Sequence, residues 1–143
     1  MILYCDSAYL AKCYLEDPDS GPVRELVWQA DAVYSSALCI AEVSCALHRS
    51  VREKRVTRGE ASQLRTTFFS DVALGIVRMI PVTETVLRAV ESTVATLPTA
   101  LFLRAGDAVH LASARHEGFS ELWSNDRHML KAAPHFGITG RSV

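Results

Sequence analysis

Short apolar runs alternate with helix-length segments along the whole chain, and this alternation constrains the fold more than any other feature. Ile2–Cys5, Val33–Ser35, Ile76–Val82 (cut short near Ile80 by Pro81) and Leu122–Ser124 are short enough to be buried strands, with Gly137-Ile138-Thr139 as a last one. The segments between them carry helix-start chemistry. Ser7 opens a helix through about Leu15. Ser20 caps a second one, with Pro22 in its first turn and Leu26 and Val27 facing inward. Ser36 opens a long helix to about Arg52, Thr57-Arg58-Gly59-Glu60 has the form of a capping box, and Thr83 caps a helix to about Ala95. Gly106-Asp107 opens a helix that stops at Gly118, and Asp126–Ala133 is a short one. Buried strands separated by helices predict a parallel sheet covered on both faces.

At 143 residues the chain makes one domain, residues 1–143, with no internal repeat, linker or low-complexity stretch. With 49% hydrophobic and 22% charged residues it is an ordinary globular sequence, which excludes disorder. A net charge of −1 excludes coating nucleic acid by bulk charge, so any such contact is local. The opening Met-Ile-Leu-Tyr-Cys-Asp has no basic region, and Asp6 interrupts its apolar run, so no signal peptide is expected. No apolar stretch reaches the length of a membrane span. Cys5, Cys13, Cys39 and Cys45 form no Cys-x-x-Cys pair and lie in apolar settings, as expected of reduced, buried thiols in a cytoplasmic protein. Trp28, Trp123, Phe68 and Phe69 are expected in the core.

Of the sixteen Asp and Glu residues, four stand where solvent is not expected. Asp6 ends the first strand. Glu42 lies inside the apolar run Ala37–Leu47, one turn from Leu38 and Cys45. Asp107 starts the apolar helix Ala108–Ala114, and Asp126 follows the strand Leu122–Ser124. Taken singly, Asp6, Asp107 and Asp126 can each be a helix cap, and Arg104 or Lys12 can neutralise a buried acid. Taken together, Asp6 and Asp126 fall beyond the carboxyl ends of strands, where open α/β sheets bind ligands. Carboxylates about 4 Å apart repel by about 4 kcal/mol per pair at an effective dielectric near 20. Such a cluster wants a hard cation, Mg²⁺ or Mn²⁺, and water activated by that ion can attack a phosphorus atom.

With these acids in this order, the chain resembles the PIN-domain ribonucleases and, within them, the VapC-like toxins of bacterial toxin–antitoxin pairs. The segments that carry the resemblance are Ile2–Glu16, Ser35–Val43, Arg104-Ala-Gly-Asp107-Ala-Val-His-Leu-Ala-Ser-Ala114 and Trp123-Ser124-Asn-Asp126-Arg-His-Met-Leu130. It implies a three-layer α/β/α fold around a central, mostly parallel sheet of about four to five strands. It also implies that Asp6, Glu42, Asp107 and Asp126 are catalytic and hold Mg²⁺, with Mn²⁺ as substitute, for the cleavage of RNA. Ser124 keeps the hydroxyl that the family places two residues before the fourth acid, and Ser7 stands where the family often has Thr. The family has a hydroxyl or amide two residues past the first acid; this chain has Ala8, which removes one polar group near the metal. Partners implied are an RNA substrate, a cognate antitoxin and a second copy in a homodimer, with no membrane.

An acidic site needs cations at its rim to accept RNA. Lys12, Arg104 and Arg127 flank the acids and are the candidate phosphate ligands. The segment Arg49–Arg58 carries five basic residues and is either an RNA contact or a solvated helix end. His110, one turn beyond Asp107, is expected to pack in the core, with contact to the site as the alternative. The functional reading is therefore a Mg²⁺-dependent endoribonuclease toxin. The alternative is a catalytically impaired RNA- or protein-binding module, which Ala8 favours. A phosphatase with an aspartate nucleophile would want a second Asp where Ala8 stands.

Overall fold

A computed structural model describes residues 1–143. Three parallel strands lie in the order β1 (Ile2–Tyr4), β2 (Ala32–Ser36), β3 (Val77–Ile80), and two more, β4 (Glu121–Trp123) and β5 (Thr139–Arg141), pair in parallel with each other. A parallel bridge between Cys5 and Trp123 joins the two groups, so β1 sits between β2 and β4. Leu3 pairs with Val33, Tyr34 with Arg78 and Leu122 with Gly140. The expected parallel sheet is thus present, and its crossovers are helical, as parallel pairing requires.

Side chains alternate across each strand, and this sorts the core into two layers. Leu3 and Val33 face α1 (Ser7–Tyr14), α3 (Cys39–Arg52) and α4 (Arg58–Ala73), packing with Leu10, Val43, Leu47 and Phe68; Val23 of α2 (Ser20–Trp28) joins them. Tyr4 and Ile80 face α5 (Glu84–Val94), α6 (Ala105–His116) and α7 (Arg127–Ala132), packing with Val86, Leu111, Leu122 and Met129. The result is the three-layer α/β/α arrangement. The α7–β5 packing is close: a Cβ on Gly140 would stand 3.2 Å from the Leu130 Cα. No helix is long and apolar enough to cross a membrane.

The Thr57 capping box and the Thr83 cap form as their sequences predict. Other starts differ. Asp6, not Ser7, caps α1, because its carboxylate accepts from the Tyr9 N–H and frees the Ser7 hydroxyl. Ser20 lies inside α2 and ties the preceding turn, donating to the Leu15 carbonyl and accepting from the Asp17 N–H. Ala37 and Leu38 form a turn, so α3 begins at Cys39 rather than at Ser36. Gly137 is not in the last strand: with φ +70° it ends the 3₁₀ turn Ala133–Phe136, and β5 starts two residues later. Two core expectations also fail. Trp28 is 80% exposed, because it falls on the last position of α2, past the turn that Val23 buries. Cys45 is exposed and Cys13 half-buried, since the inward face of α3 runs through Cys39, Val43, Leu47 and Ser50; all four thiols are free.

Candidate functional site

The carboxyl ends of β1 and β4 are held side by side where the Asp6 N–H donates to the Trp123 carbonyl at 3.2 Å. Everything that follows these ends in sequence is therefore brought together. Asp6 is only 3% exposed. Its Oδ1 accepts from the Tyr9 N–H at 2.7 Å and its Oδ2 from the Ser124 hydroxyl at 2.5 Å. Burial pushes the Asp6 carboxyl above its ordinary value, against the opposing pull of the Ser124 hydroxyl and the Tyr9 N–H. The same Ser124 oxygen accepts from the Asp126 N–H at 2.9 Å, so one hydroxyl links the two acids. Asp126 caps α7 through Oδ1, which accepts from the His128 and Met129 N–H groups. Its cap role and its place in the cluster coexist because Oδ2 is left over.

That second oxygen meets Arg104. The guanidinium donates through Nη2 to Asp126 Oδ2 at 3.0 Å and through Nε to Asp107 Oδ2 at 3.1 Å. Asp107 is the third residue of α6 and is not its cap; Arg104 occupies the cap position and makes no side-chain capping bond. Burial raises the Asp107 carboxyl above its ordinary value, and the bond and charge of Arg104 offset part of that rise. Arg104 itself is 61% exposed, so the neutralising partner is a surface cation reaching inward and not a buried one.

Glu42, in the first turn of α3, approaches from the other side. Its Oε2 lies 3.4 Å from where a Cβ on Gly106 would sit, which places it against the N-terminal turn of α6. Its Oε1 accepts from the Ser7 hydroxyl at 2.9 Å and lies 2.8 Å from His110 Nε2. Burial pushes Glu42 upward, but the hydrogen bond from His110, the Ser7 hydroxyl and the Arg104 charge outweigh it, and the carboxyl ends below its ordinary value. Leu38, one turn before Glu42, is half-buried, but Cys45 is exposed, so Glu42 borders the buried face of α3 instead of lying on it.

The four acids thus meet at one end of the sheet, joined through Ser124, Arg104 and the start of α6. No three His, Cys, Asp or Glu side chains stand at metal-ligand spacing. In donor type the residues fit a hard divalent cation, since all four offer carboxylate oxygen. In this arrangement the Arg104 guanidinium supplies the positive charge between Asp107 and Asp126.

The remaining candidates fall into place around this group. The Lys12 ammonium and the Asn125 amide both donate to Asp19 Oδ2, each at 2.5 Å, which ties the α1–α2 turn to the residue before Asp126. Asp19 is therefore not a plain solvent-facing turn acid. Arg127 is exposed and makes no ion pair. Ala8 is exposed as well. In the segment Arg49–Arg58, Arg49 pairs with Glu53 and Arg55 with Asp17, at the far end of α3 from Glu42. The residue that sequence reasoning undervalued is His110. It is buried, as expected, yet it touches Glu42, Ser7 and Tyr4. The signal was its position, one helical turn from Asp107 on the same face.

The PIN domain family matches the sequence over residues 3–134. No curated protein matches it. Among solved structures, the chain is similar to Mycobacterium tuberculosis VapC20, described as a sarcin-ricin loop cleaving toxin. The TM-score is 0.70 at 18% identity, covering 92% of this chain and 95% of the other. It is also similar to VapBC2 from Rickettsia felis bound to a promoter DNA fragment (TM-score 0.68, 14% identity, 99% and 98% covered). A third is FitAcB from Neisseria gonorrhoeae (TM-score 0.67, 16% identity, 98% and 96% covered). The match begins within the first strand and includes all four acids and the helices that carry or follow them, and the chain belongs to the PIN domain family.

Proposed function

We propose that this protein is a divalent-cation-dependent endoribonuclease and the toxin of a toxin–antitoxin pair. The observation that carries the reading is the linking of Asp6, Asp126 and Asp107 beside the carboxyl ends of β1 and β4 through Ser124 and Arg104, with Glu42 against the start of α6. The fold shared with VapC20, a sarcin-ricin loop cleaving toxin, and with VapBC2 and FitAcB supports the reading of this chain as a toxin with an antitoxin partner. A homodimer acting in the cytoplasm belongs to the same reading.

Asp6, Asp107 and Asp126, with Glu42, are the residues that would hold Mg²⁺ or Mn²⁺, which supplies Lewis acidity toward the scissile phosphate and favours ionisation of the attacking water. The chain's own contribution is position and charge. Asp6 is fixed by two hydrogen bonds and cannot turn away. Asp126 is fixed by the α7 N-terminus. Arg104, being mostly exposed, can release the carboxylates and turn to a phosphate oxygen. Arg127, exposed beside Asp126, and Lys12, which shares Asp19 with Asn125, would take the backbone. Ser7 and Ser124 hold carboxylates in place and touch no substrate.

The test is brief expression of the parent and of Asp107→Asn in cells, followed by sequencing of RNA 5′ ends. New ends at defined positions with the parent, absent with the variant, support the reading. Identical end profiles in both contradict it and leave the binding-module alternative, which the loss of a polar group at Ala8 favours.

A further inference from the structure

His110 is 1% exposed, yet its ring makes polar contacts at both nitrogens. Nε2 lies 2.8 Å from Glu42 Oε1 and 3.0 Å from Ser7 Oγ. Nδ1 lies 3.2 Å from the Tyr4 hydroxyl. Ser7 has one hydroxyl proton, and it is directed to Glu42 Oε1 at 2.9 Å. The Ser7 oxygen and Glu42 Oε1 are then both acceptors toward Nε2, so Nε2 must carry the hydrogen. In the neutral ring Nδ1 is then an acceptor, and the Tyr4 hydroxyl is the donor that faces it.

We propose that Tyr4 and His110 are positioning residues that fix Glu42: the Tyr4 hydroxyl donates to His110 Nδ1, this holds His110 as the Nε2–H tautomer, and Nε2–H holds Glu42 Oε1. The consequence for the site rests on the reading of Glu42 as a cation ligand. Glu42 is on the first turn of α3 with its side chain 38% exposed, and a free glutamate there would sample several rotamers. Three elements restrain one of its oxygens: α1 through Ser7, α6 through His110 and, behind it, β1 through Tyr4. Oε2, against Gly106 and on the Asp107 side, is the oxygen left for a cation. The arrangement is the one by which a ligand's far side is fixed so that its near side points one way. Tyr4 is itself held, its ring packed edge-on against Phe119 and His110.

The first measurement is the long-range ¹H–¹⁵N spectrum of the imidazoles in cation-free protein. The parent should show His110 as the neutral Nε2–H tautomer, and Tyr4→Phe, which keeps the ring and removes the hydroxyl, should shift it toward a tautomer mixture. A parent ring in the Nδ1–H form, or doubly protonated, or unchanged in Tyr4→Phe, overturns the relay. The second measurement is Mn²⁺ affinity by titration. His110→Leu fills the space but offers no donor and should weaken Mn²⁺ by about tenfold or more, whereas His110→Gln restores an N–H and should stay within about threefold of the parent. Equal affinity in Leu and Gln variants of equal melting temperature means that His110 only packs, and overturns the proposal. If the parent binds no Mn²⁺ at all, the cation reading of the site fails, and the tautomer spectrum still decides the relay.

Discussion

The Ser124 hydroxyl donates to Asp6 Oδ2 across 118 positions of sequence, at 2.5 Å and out of contact with solvent. It also accepts from the Asp126 N–H, so one hydroxyl ties together the carboxyl ends of β1 and β4. Ser124→Ala removes the donor from a buried carboxylate and the acceptor from a helix-cap N–H. The variant should lose about 1–3 kcal/mol at pH 7.5. The loss should shrink toward pH 4, because the bond favours the ionised form of Asp6, and that form disappears as Asp6 protonates. Urea unfolding at the two pH values checks this; a loss that is the same at both means the hydroxyl does not serve the carboxylate.

Asp6→Asn should act in the opposite direction. Burial raises the folded-state carboxyl above its unfolded value. Such a group holds its proton more tightly in the native state, so its stabilisation is complete below the unfolded value and is lost as pH rises through the folded one. At pH 7.5 the parent carries the cost of a buried charge that asparagine lacks, while asparagine caps a helix about as well. The variant should melt higher in the absence of divalent cations, by about 1 kcal/mol or about 4 °C, and this advantage should vanish near pH 4. Calorimetry that finds the variant less stable at pH 7.5 contradicts the direction.

Arg104→Ala removes the charge that joins Asp107 and Asp126. The pair with Asp126 is partly exposed and worth about 0.2–1 kcal/mol, while the pair with Asp107, whose side chain is 11% exposed, is worth more, because its loss leaves a buried carboxylate unpaired. The cation-free protein should lose about 1–3 kcal/mol. Mg²⁺ should bind about two- to twentyfold more tightly, because it no longer competes with the guanidinium, while RNA binding should weaken. Isothermal titration with Mg²⁺ reads the first effect; unchanged or weaker Mg²⁺ binding would show that Arg104 and the cation do not compete.

Much of the site was legible because its residues break local rules. An aspartate at the end of an apolar strand, or at the start of a largely apolar helix, stands out, as Asp6, Asp107 and Asp126 do. Parallel β1 and β4 follow from the same pattern, since short apolar runs joined by helices leave few other pairings. What did not show was anything fixed by side-chain reach between elements. The sequence offers Arg104, alongside Lys12, as a neutralising partner, but only the fold shows its guanidinium spanning both Asp107 and Asp126. His110 reads as core because burial and hydrogen bonding are independent, and only the fold shows Tyr4 and Glu42 on either side of it. Cys45 and Trp28 look buried by type, but helix phase and helix end decide exposure there.

If these acids cleave RNA with a divalent cation, the activity must depend both on the ion and on the carboxylates. The most direct measurement is the rate at which the purified chain cuts a labelled single-stranded RNA pool in Mg²⁺, in excess EDTA, and as Asp107→Asn in Mg²⁺. The amide is nearly isosteric and removes only a charge, so the folded variant tests the chemistry of the site. Endonucleolytic products with the parent in Mg²⁺, and at least a hundredfold less in EDTA and in the variant, about 2.7 kcal/mol of lost transition-state stabilisation, is the predicted result. Cleavage that persists in EDTA, or an Asp107→Asn protein as fast as the parent, would contradict it.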